Sequence, residues 1–261
     1  MFILDYIKPL KIMPTISTLI ITKNEAHNIE ACIGSVLWTD EIIILDCGST
    51  DNTIDICKKY APKVKLHQTD WPGFGKQKNR ALVLATSEWI LSIDADERVT
   101  PELKNEILQT LDNSSYVAYQ IPFQNHFLNR KIKYCFGDDF HTRLAKKEFC
   151  KFSDDIVHEK IIINGATGKL RKKIDHFSCD NMEELINKIN SYSTLGAITL
   201  HQSGKKASFA RALTHACWKF IKIYFINLGF LDGWPGFILA FSNFEGTFYK
   251  YVKPLLSNNH L

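Results

Sequence analysis

No Cys-x-x-Cys pair occurs in this 261-residue sequence, although it has seven cysteines, Cys32, Cys47, Cys57, Cys135, Cys150, Cys179 and Cys217. That absence argues against zinc and dithiol redox motifs, and an odd number of scattered thiols fits a reducing compartment. Also missing is a run of about 18 uncharged apolar residues, the length that a membrane-spanning helix needs. Residues 1–14 have no basic start, no adequate apolar stretch and no small-residue cleavage site, so they read as the N-terminal leader of a cytosolic chain. Charge of one sign is scarce too: the net charge is +4, too small to call for a nucleic-acid partner. The imbalance that exists lies late in the chain. From His201 onward, Lys205, Lys206, Arg211, Lys219, Lys222, Lys250 and Lys253 face only Asp232 and Glu245, which leaves that tail at +5 and the first 200 residues at −1. No internal repeat or low-complexity tract is present. A chain with 45% hydrophobic and 23% charged residues at this length supports a substantial core in one large or two small domains.

Residues 17–112 alternate strand and helix signals. Ser17-Thr18-Leu19-Ile20-Ile21-Thr22 reads as a buried strand, and a helix is expected to open at Asn24-Glu25 and run toward Leu37. Residues 41–46 form a second strand ending in Asp46-Cys47-Gly48-Ser49-Thr50-Asp51, where Gly48 permits a turn and Ser49 or Thr50 can cap a helix through residues 54–60. Residues 64–66 form a third strand, residues 75–85 a helix and residues 89–93 a fourth strand; Thr100-Pro101 then starts the next helix. This alternation predicts an α/β fold with a Rossmann-like, mostly parallel sheet and helices on both faces. Ligands of such sheets bind beyond the carboxyl ends of the strands, where Thr22, Asp46 and Asp94 fall.

The fourth strand runs into Asp94-Ala95-Asp96-Glu97. Side chains at i and i+2 of an extended segment point the same way, so Asp94 and Asp96 can face one site. Paired carboxylates suit a hard cation such as Mg2+ or Mn2+, which takes the rest of its shell from water or phosphate oxygens; a solvated strand-to-helix turn would look the same. Residues 115–177 change texture: short apolar runs alternate with polar turns carrying His141, Arg143, His158, Glu159 and His176, as in mixed or antiparallel strands with site loops. Helical spacing of Met182, Leu185, Ile186, Ile189, Tyr192 and Leu195 predicts a helix from Asn181 to about Leu200. Residues 207–251 are aromatic and basic, with a break at Gly229, Gly233, Pro235 and Gly236.

In order, Ile20-Ile21-Thr22-Lys23-Asn24-Glu25, Asp46-Cys47-Gly48-Ser49-Thr50-Asp51, Gln77-Lys78-Asn79, Trp89-Ile90-Leu91-Ser92-Ile93-Asp94-Ala95-Asp96-Glu97 and Val157-His158-Glu159 resemble the motifs of family 2 glycosyltransferases, over roughly residues 16–200. The specificity lies in five motifs in sequence, since none would suffice alone. The resemblance implies the GT-A fold and transfer of a sugar from a nucleotide diphosphate with inversion. Within the family, the Trp-x-Leu-x-x-Asp-Ala-Asp-Glu form and the basic aromatic close look most like lipopolysaccharide core glucosyltransferases that act on inner-core heptose.

The resemblance also implies roles. Thr22, Glu25 and Asp46 would line the nucleotide pocket, where Asp46 can accept a hydrogen bond from a uracil N–H or a ribose hydroxyl. Asp46 and Asp51 also suit turn and capping roles, and for Asp51 the two readings are evenly balanced. Many relatives have a second aspartate where this chain has Cys47, so no carboxylate role exists there. Of Lys76, Lys78 and Arg80, Lys78 is favoured for donor contact, against a solvated helix face carrying all three. Asp96, with Asp94 directly or through water, would hold the cation that neutralises the departing diphosphate, and Asp94 would also contact the donor. Glu159 is the candidate base for the acceptor hydroxyl, with Asp154 and Asp155 as competitors. His176 is the candidate third metal ligand, His158 the alternative, and Arg143 is assigned to a phosphate of donor or acceptor.

The sequence thus reads as a GT-A catalytic domain over residues 15–200, with a nucleotide-binding half at 15–112 and an acceptor half at 113–200. A helical region follows at 201–261, in which aromatics interleaved with Lys219 and Lys222 suit an anionic membrane surface, a helical cap or a dimer partner. The expected protein is cytoplasmic and peripheral at the inner face of the membrane, uses Mg2+ or Mn2+, takes a UDP-sugar and glycosylates a lipid-linked saccharide. A peptide or polyprenyl-phosphate acceptor and a non-catalytic sugar-nucleotide binding protein remain alternatives. A phosphotransferase with a strand-end Asp-x-Asp fits less well, because Asp94 lies deep in the chain and Glu97-Arg98 follows.

Overall fold

The structure, a computed structural model, describes residues 13–112, 114–137, 139–153, 160–204 and 207–256. In chain order the elements are β1 Ile16–Thr22, α1 Ile29–Val36, β2 Glu41–Asp46, α2 Thr53–Lys58, β3 Val64–Gln68, α3 Phe74–Leu84, β4 Trp89–Ser92, β5 Glu97–Val99, α4 Pro101–Asp112, β6 Ala118–Phe127, β7 Arg130–Lys131, β8 Phe140–Lys146, β9 Cys150–Phe152, β10 Ile161–Ile163, β11 Thr167–Lys169, β12 Ile174–Cys179, α5 Met182–Gln202, α6 Phe209–Ile221 and α7 Trp234–Leu256. They form two compact units that interleave along the chain. The first comprises the described residues up to Ala95, Val99–Ile121 and Thr142–Lys172; the second comprises Asp96–Arg98, Pro122–His141 and the described residues from Lys173 onward.

The first unit is built on parallel strands in the order β3-β2-β1-β4, with β8 antiparallel to β4 and β6 beyond it. Every residue of β1, β2 and β4 is buried, because a central strand of such a sheet is covered on both faces. One face gathers Leu19, Ile21, Ile43, Leu45 and Ile90 against Ala81, Leu82 and Ala85 of α3 and its C-terminal boundary. The strand order reverses between β1 and β4, and ligands of such sheets bind beyond the C-terminal ends of the strands at that reversal. The antiparallel return of β8 sets Leu144 opposite Leu91, bringing Arg143 level with the end of β4.

In the second unit, β12 runs parallel to β6 with His176 paired to Asn125, and β7 forms a hairpin with β6. The helix expected from Asn181 is α5, and Asn181 caps it by accepting a hydrogen bond from the Glu184 N–H at 2.9 Å. Helix α7 packs against α5 and α6. Between α6 and α7 lie a π-turn at Lys222–Ile226 and a 3-10 turn at Gly229–Asp232, matching the break read from the sequence.

Local boundaries differ where tertiary bonds outweigh propensity. The first helix begins at Ile29 instead of Asn24, since Asn24 is left-handed at φ 55° and bridges two loops, its N–H donating to Ser49 Oγ and its Oδ1 accepting from the Thr50 N–H. Asp51 accepts from the Thr53 N–H at 3.0 Å at the start of α2, the task assigned above to Ser49 or Thr50.

At the opposite end of the strands, buried Glu41 accepts from Ser17 Oγ, Lys65 Nζ and the Thr86 N–H. Burial raises its pKa, but hydrogen bonds from Lys65, Ser17 and Thr86 prevail and lower it to about 2 from 4.5. A depressed carboxylate pKa stabilises the fold fully above the unfolded value and ceases to do so as pH falls through the folded one. Urea unfolding should therefore show stability falling between about pH 4.5 and 2. A Glu41→Gln variant should be weaker at pH 7 and lack that part of the acid dependence.

Candidate active site

Helix α3 carries a buried stripe at i, i+3, i+4 and i+7, and Lys78 occupies the first position ahead of Ala81, Leu82 and Ala85. The packing that seats the three apolar residues also buries the lysine, whose side chain is 4% exposed. A buried ammonium needs a counter-charge. Asp94 supplies it: Lys78 Nζ lies 2.9 Å from Oδ1, and Arg143 Nη2 donates to Oδ2 at 2.9 Å. Partial burial pushes the Asp94 pKa up, but the Lys78 and Arg143 charges outweigh it and hold the carboxylate well below its usual range. The three residues form a triad carrying a formal net charge of one positive at the mouth of β4. Lys76 and Arg80, in contrast, are exposed, and Arg80 pairs with Asp70 at 2.6 Å. Helix periodicity thus buries Lys78 and leaves the two neighbouring cations exposed.

Thr22 closes β1 beside this mouth. Its Oγ1 and Ser92 Oγ at the end of β4 are buried hydroxyls without a hydrogen bond among the described residues. Such groups are rare because an unmade bond in the interior costs about 1–3 kcal/mol. Asp46 has no exposed surface; its Oδ1 accepts from the N–H groups of Gly48 and Ser49 at 3.0 and 2.9 Å, and Ser49 Oγ donates to its other oxygen. It shapes the loop after β2, with Gly48 at φ 87° where a side chain would be strained. Glu25 accepts from Asn28 Nδ2 at 3.0 Å, and its N–H donates to Thr53 Oγ1 at 2.8 Å. Cys47 accepts from Gln77 Nε2 at 3.2 Å, and burial pushes its thiol pKa up, so it remains neutral.

The chain passes from one unit to the other between Ala95 and Asp96. In the second unit His176 Nε2 lies 3.4 Å from Asp96 Oδ2, while His176 Nδ1 meets Asn125 Oδ1 at 2.8 Å. Parallel pairing of His176 with Asn125 puts the two side chains on the same face. Because Asn125 presents a carbonyl oxygen, Nδ1 donates to it, and Nε2 is the nitrogen that faces Asp96. No cluster of three or more His, Cys, Asp or Glu suited to a metal ion occurs among the described residues. Asn125 carries no motif in the sequence beyond the polar run Gln124-Asn125-His126 late in β6. Glu159, His158, Asp154 and Asp155 lie outside the described residues. Asn79 anchors the strand before them, exchanging two hydrogen bonds of 2.9 Å with the Phe152 backbone.

The family description "Glycosyl transferase family 2" matches residues 17–171. The chain belongs to this glycosyltransferase family. An uncharacterized glycosyltransferase of Rickettsia prowazekii is 36% identical over 250 residues, spanning 89% of this chain and 85% of that one. A lipopolysaccharide core biosynthesis glycosyltransferase of Rhizobium meliloti, LpsC, is 30% identical over 247 residues, spanning 91% and 89%. Among solved structures, a mannosyltransferase of Pyrobaculum calidifontis in complex with GDP-Man and Mn2+ superposes with a TM-score of 0.55, covering 95% of this chain and 89% of that one at 14% identity, a likeness of fold alone. The fold is of the GT-A type, with a distinct aromatic helical region at its C-terminal end.

Removing Asp94 would take away a counter-charge 2.9 Å from the buried Lys78 ammonium. Asp94→Ala should lower stability by about 3 kcal/mol, at the low end for a buried pair because Asp94 is itself 35% exposed. Adding Lys78→Met to Asp94→Ala should recover part of that loss, a coupling that urea unfolding of both single variants and the double variant measures.

Proposed function

We propose that this glycosyltransferase moves a hexose, with glucose the first candidate, from a UDP-sugar to a lipid-linked saccharide such as the lipopolysaccharide inner core. Transfer proceeds with inversion at the cytoplasmic face of the membrane. The observation that carries the reading is the Lys78–Asp94–Arg143 triad at the mouth of β4. Two nearly buried cations held on one carboxylate are preorganised to receive a diphosphate, and they lose little freedom when it binds. Thr22 Oγ1, buried and without a hydrogen bond, suits a donor-facing contact at the end of β1. Asp46 and Glu25 contribute by fixing the loops that follow β2 and β1, and Asp46 is the strut of the nucleotide end. Lipid-linked core saccharide as acceptor draws support from the biosynthetic role named for the Rhizobium relative.

Asp96 and His176 fit a divalent cation. A carboxylate oxygen beside an imidazole nitrogen favours Mn2+ over Mg2+, which prefers oxygen alone, and two protein ligands leave room for water and phosphate. When bound, the cation would neutralise charge developing on the leaving diphosphate. Asn125 orients His176 for that task. Lys78 and Arg143 donate to the diphosphate as its bond to the sugar breaks, and Glu159 takes the proton from the attacking acceptor hydroxyl.

Thermal unfolding with a panel of nucleotides tests the donor. UDP with Mn2+ should raise the melting temperature, UDP with chelator should do so less, and ADP should not; equal shifts from ADP and UDP would remove the uridine assignment. Asn125→Leu should weaken Mn2+ binding by about 10- to 100-fold, read by titration of the ion itself, while Glu159→Gln should lower kcat by about 10^2 to 10^4 with Mn2+ binding retained.

A further inference from the structure

We infer that the turn between α6 and α7, joined to the segment after β7, is a rigid aromatic wedge that docks into the surface of an anionic lipid bilayer. The inference deepens the proposed lipid-linked acceptor and rests on it for its purpose. Sequence alone placed the basic aromatic stretch at residues 218–230; the fold adds a second stretch, residues 130–136, from far away in the chain. Asp232 joins the two by accepting hydrogen bonds from the Lys133, Tyr134 and Cys135 N–H groups at 2.9, 3.0 and 3.0 Å, and Asn227 Nδ2 donates to the Cys135 carbonyl at 2.9 Å. The turn itself closes backbone on backbone. A Cβ on Gly236 would lie 1.9 Å from the Gly229 carbonyl oxygen, and one on Gly229 would lie 2.6 Å from that of Ile223.

On this frame Phe225, Ile226, Phe230, Leu231 and Trp234 are each 44% to 57% exposed. Arg130, Lys131, Lys133 and Lys222 are exposed around them, and the Arg130 guanidinium lies 5.4 Å from the centroid of the Trp234 ring. Exposed aromatic and aliphatic side chains within a cationic rim match an acyl boundary beneath anionic headgroups. Fixed geometry means that little order has to be gained on insertion. A second copy of the chain fits this face poorly: a two-fold contact would set the basic rim against itself, and Asp232 is already engaged by three backbone donors.

The test is cosedimentation of the full chain with vesicles of phosphatidylcholine alone and with phosphatidylglycerol added. The wild type should bind only the anionic vesicles, less in high salt, and brominated lipid should quench its tryptophan emission. The double substitution Phe230→Ser with Leu231→Ser should weaken binding at least about tenfold, given two large apolar side chains removed from the membrane. Lys131→Glu with Lys133→Glu should abolish the salt-sensitive part. Both variants should keep the wild-type melting temperature and metal-dependent nucleotide-sugar hydrolysis. Binding with no quenching, or undiminished in both variants, would overturn the wedge and leave the lipid-linked acceptor standing. Binding to no vesicle would overturn the wedge, while the acceptor is decided separately by transfer to a detergent-solubilised lipid-linked saccharide. Loss of a dimer in the variants, without vesicle binding by the wild type, would assign the face to a second copy.

Discussion

Burial of Lys78 calls for counter-charge, Asp94 supplies it at 2.9 Å, and the candidate donor site is organised around that pair. Helix α3 places Lys78 on the stripe that packs against the sheet, where an ammonium without a partner would cost several kcal/mol, on the order of 3 or more. Asp94 answers from the end of β4, and Arg143 arrives at its other oxygen because β8 runs antiparallel to β4. One carboxylate thereby fixes two cations from two other elements. The motif that looked like half of a metal site is also the anchor of a cationic pair.

That division of labour separates Asp94 from Asp96. Two residues apart, they lie in different compact units and have different partners: cations for the first, an imidazole and the Lys188 ammonium at 3.9 Å for the second. Asp96 and His176 are an oxygen and nitrogen pair suited to a divalent ion, with Asn125 setting the ring tautomer.

Much of this was legible because burial writes itself into sequence. Strands β1, β2 and β4 are buried throughout and are rich in apolar residues, and Thr22, Asp46 and Asp94 fall at their ends. The burial of Lys78 was legible in principle from its spacing to Ala81, Leu82 and Ala85. Asn125 was not: its partner His176 is 51 residues away, and only parallel pairing of β6 and β12 makes them neighbours. The start of α1 was misread because Asn24 answers to Ser49 and Thr50 across a loop, and local propensity does not register bonds of that range. Asp46 looked like a ligand contact from its place at a strand end, yet its oxygens serve the turn that follows it.

The central claim is that Lys78 and Arg143, held on Asp94, receive the diphosphate. Calorimetric titration of UDP and of uridine, each with Mn2+, into the wild type and Lys78→Met tests it most directly. The account predicts that Lys78→Met weakens UDP binding by about tenfold or more while uridine binding is unchanged. Equal weakening of both ligands, or no weakening of either, would contradict it.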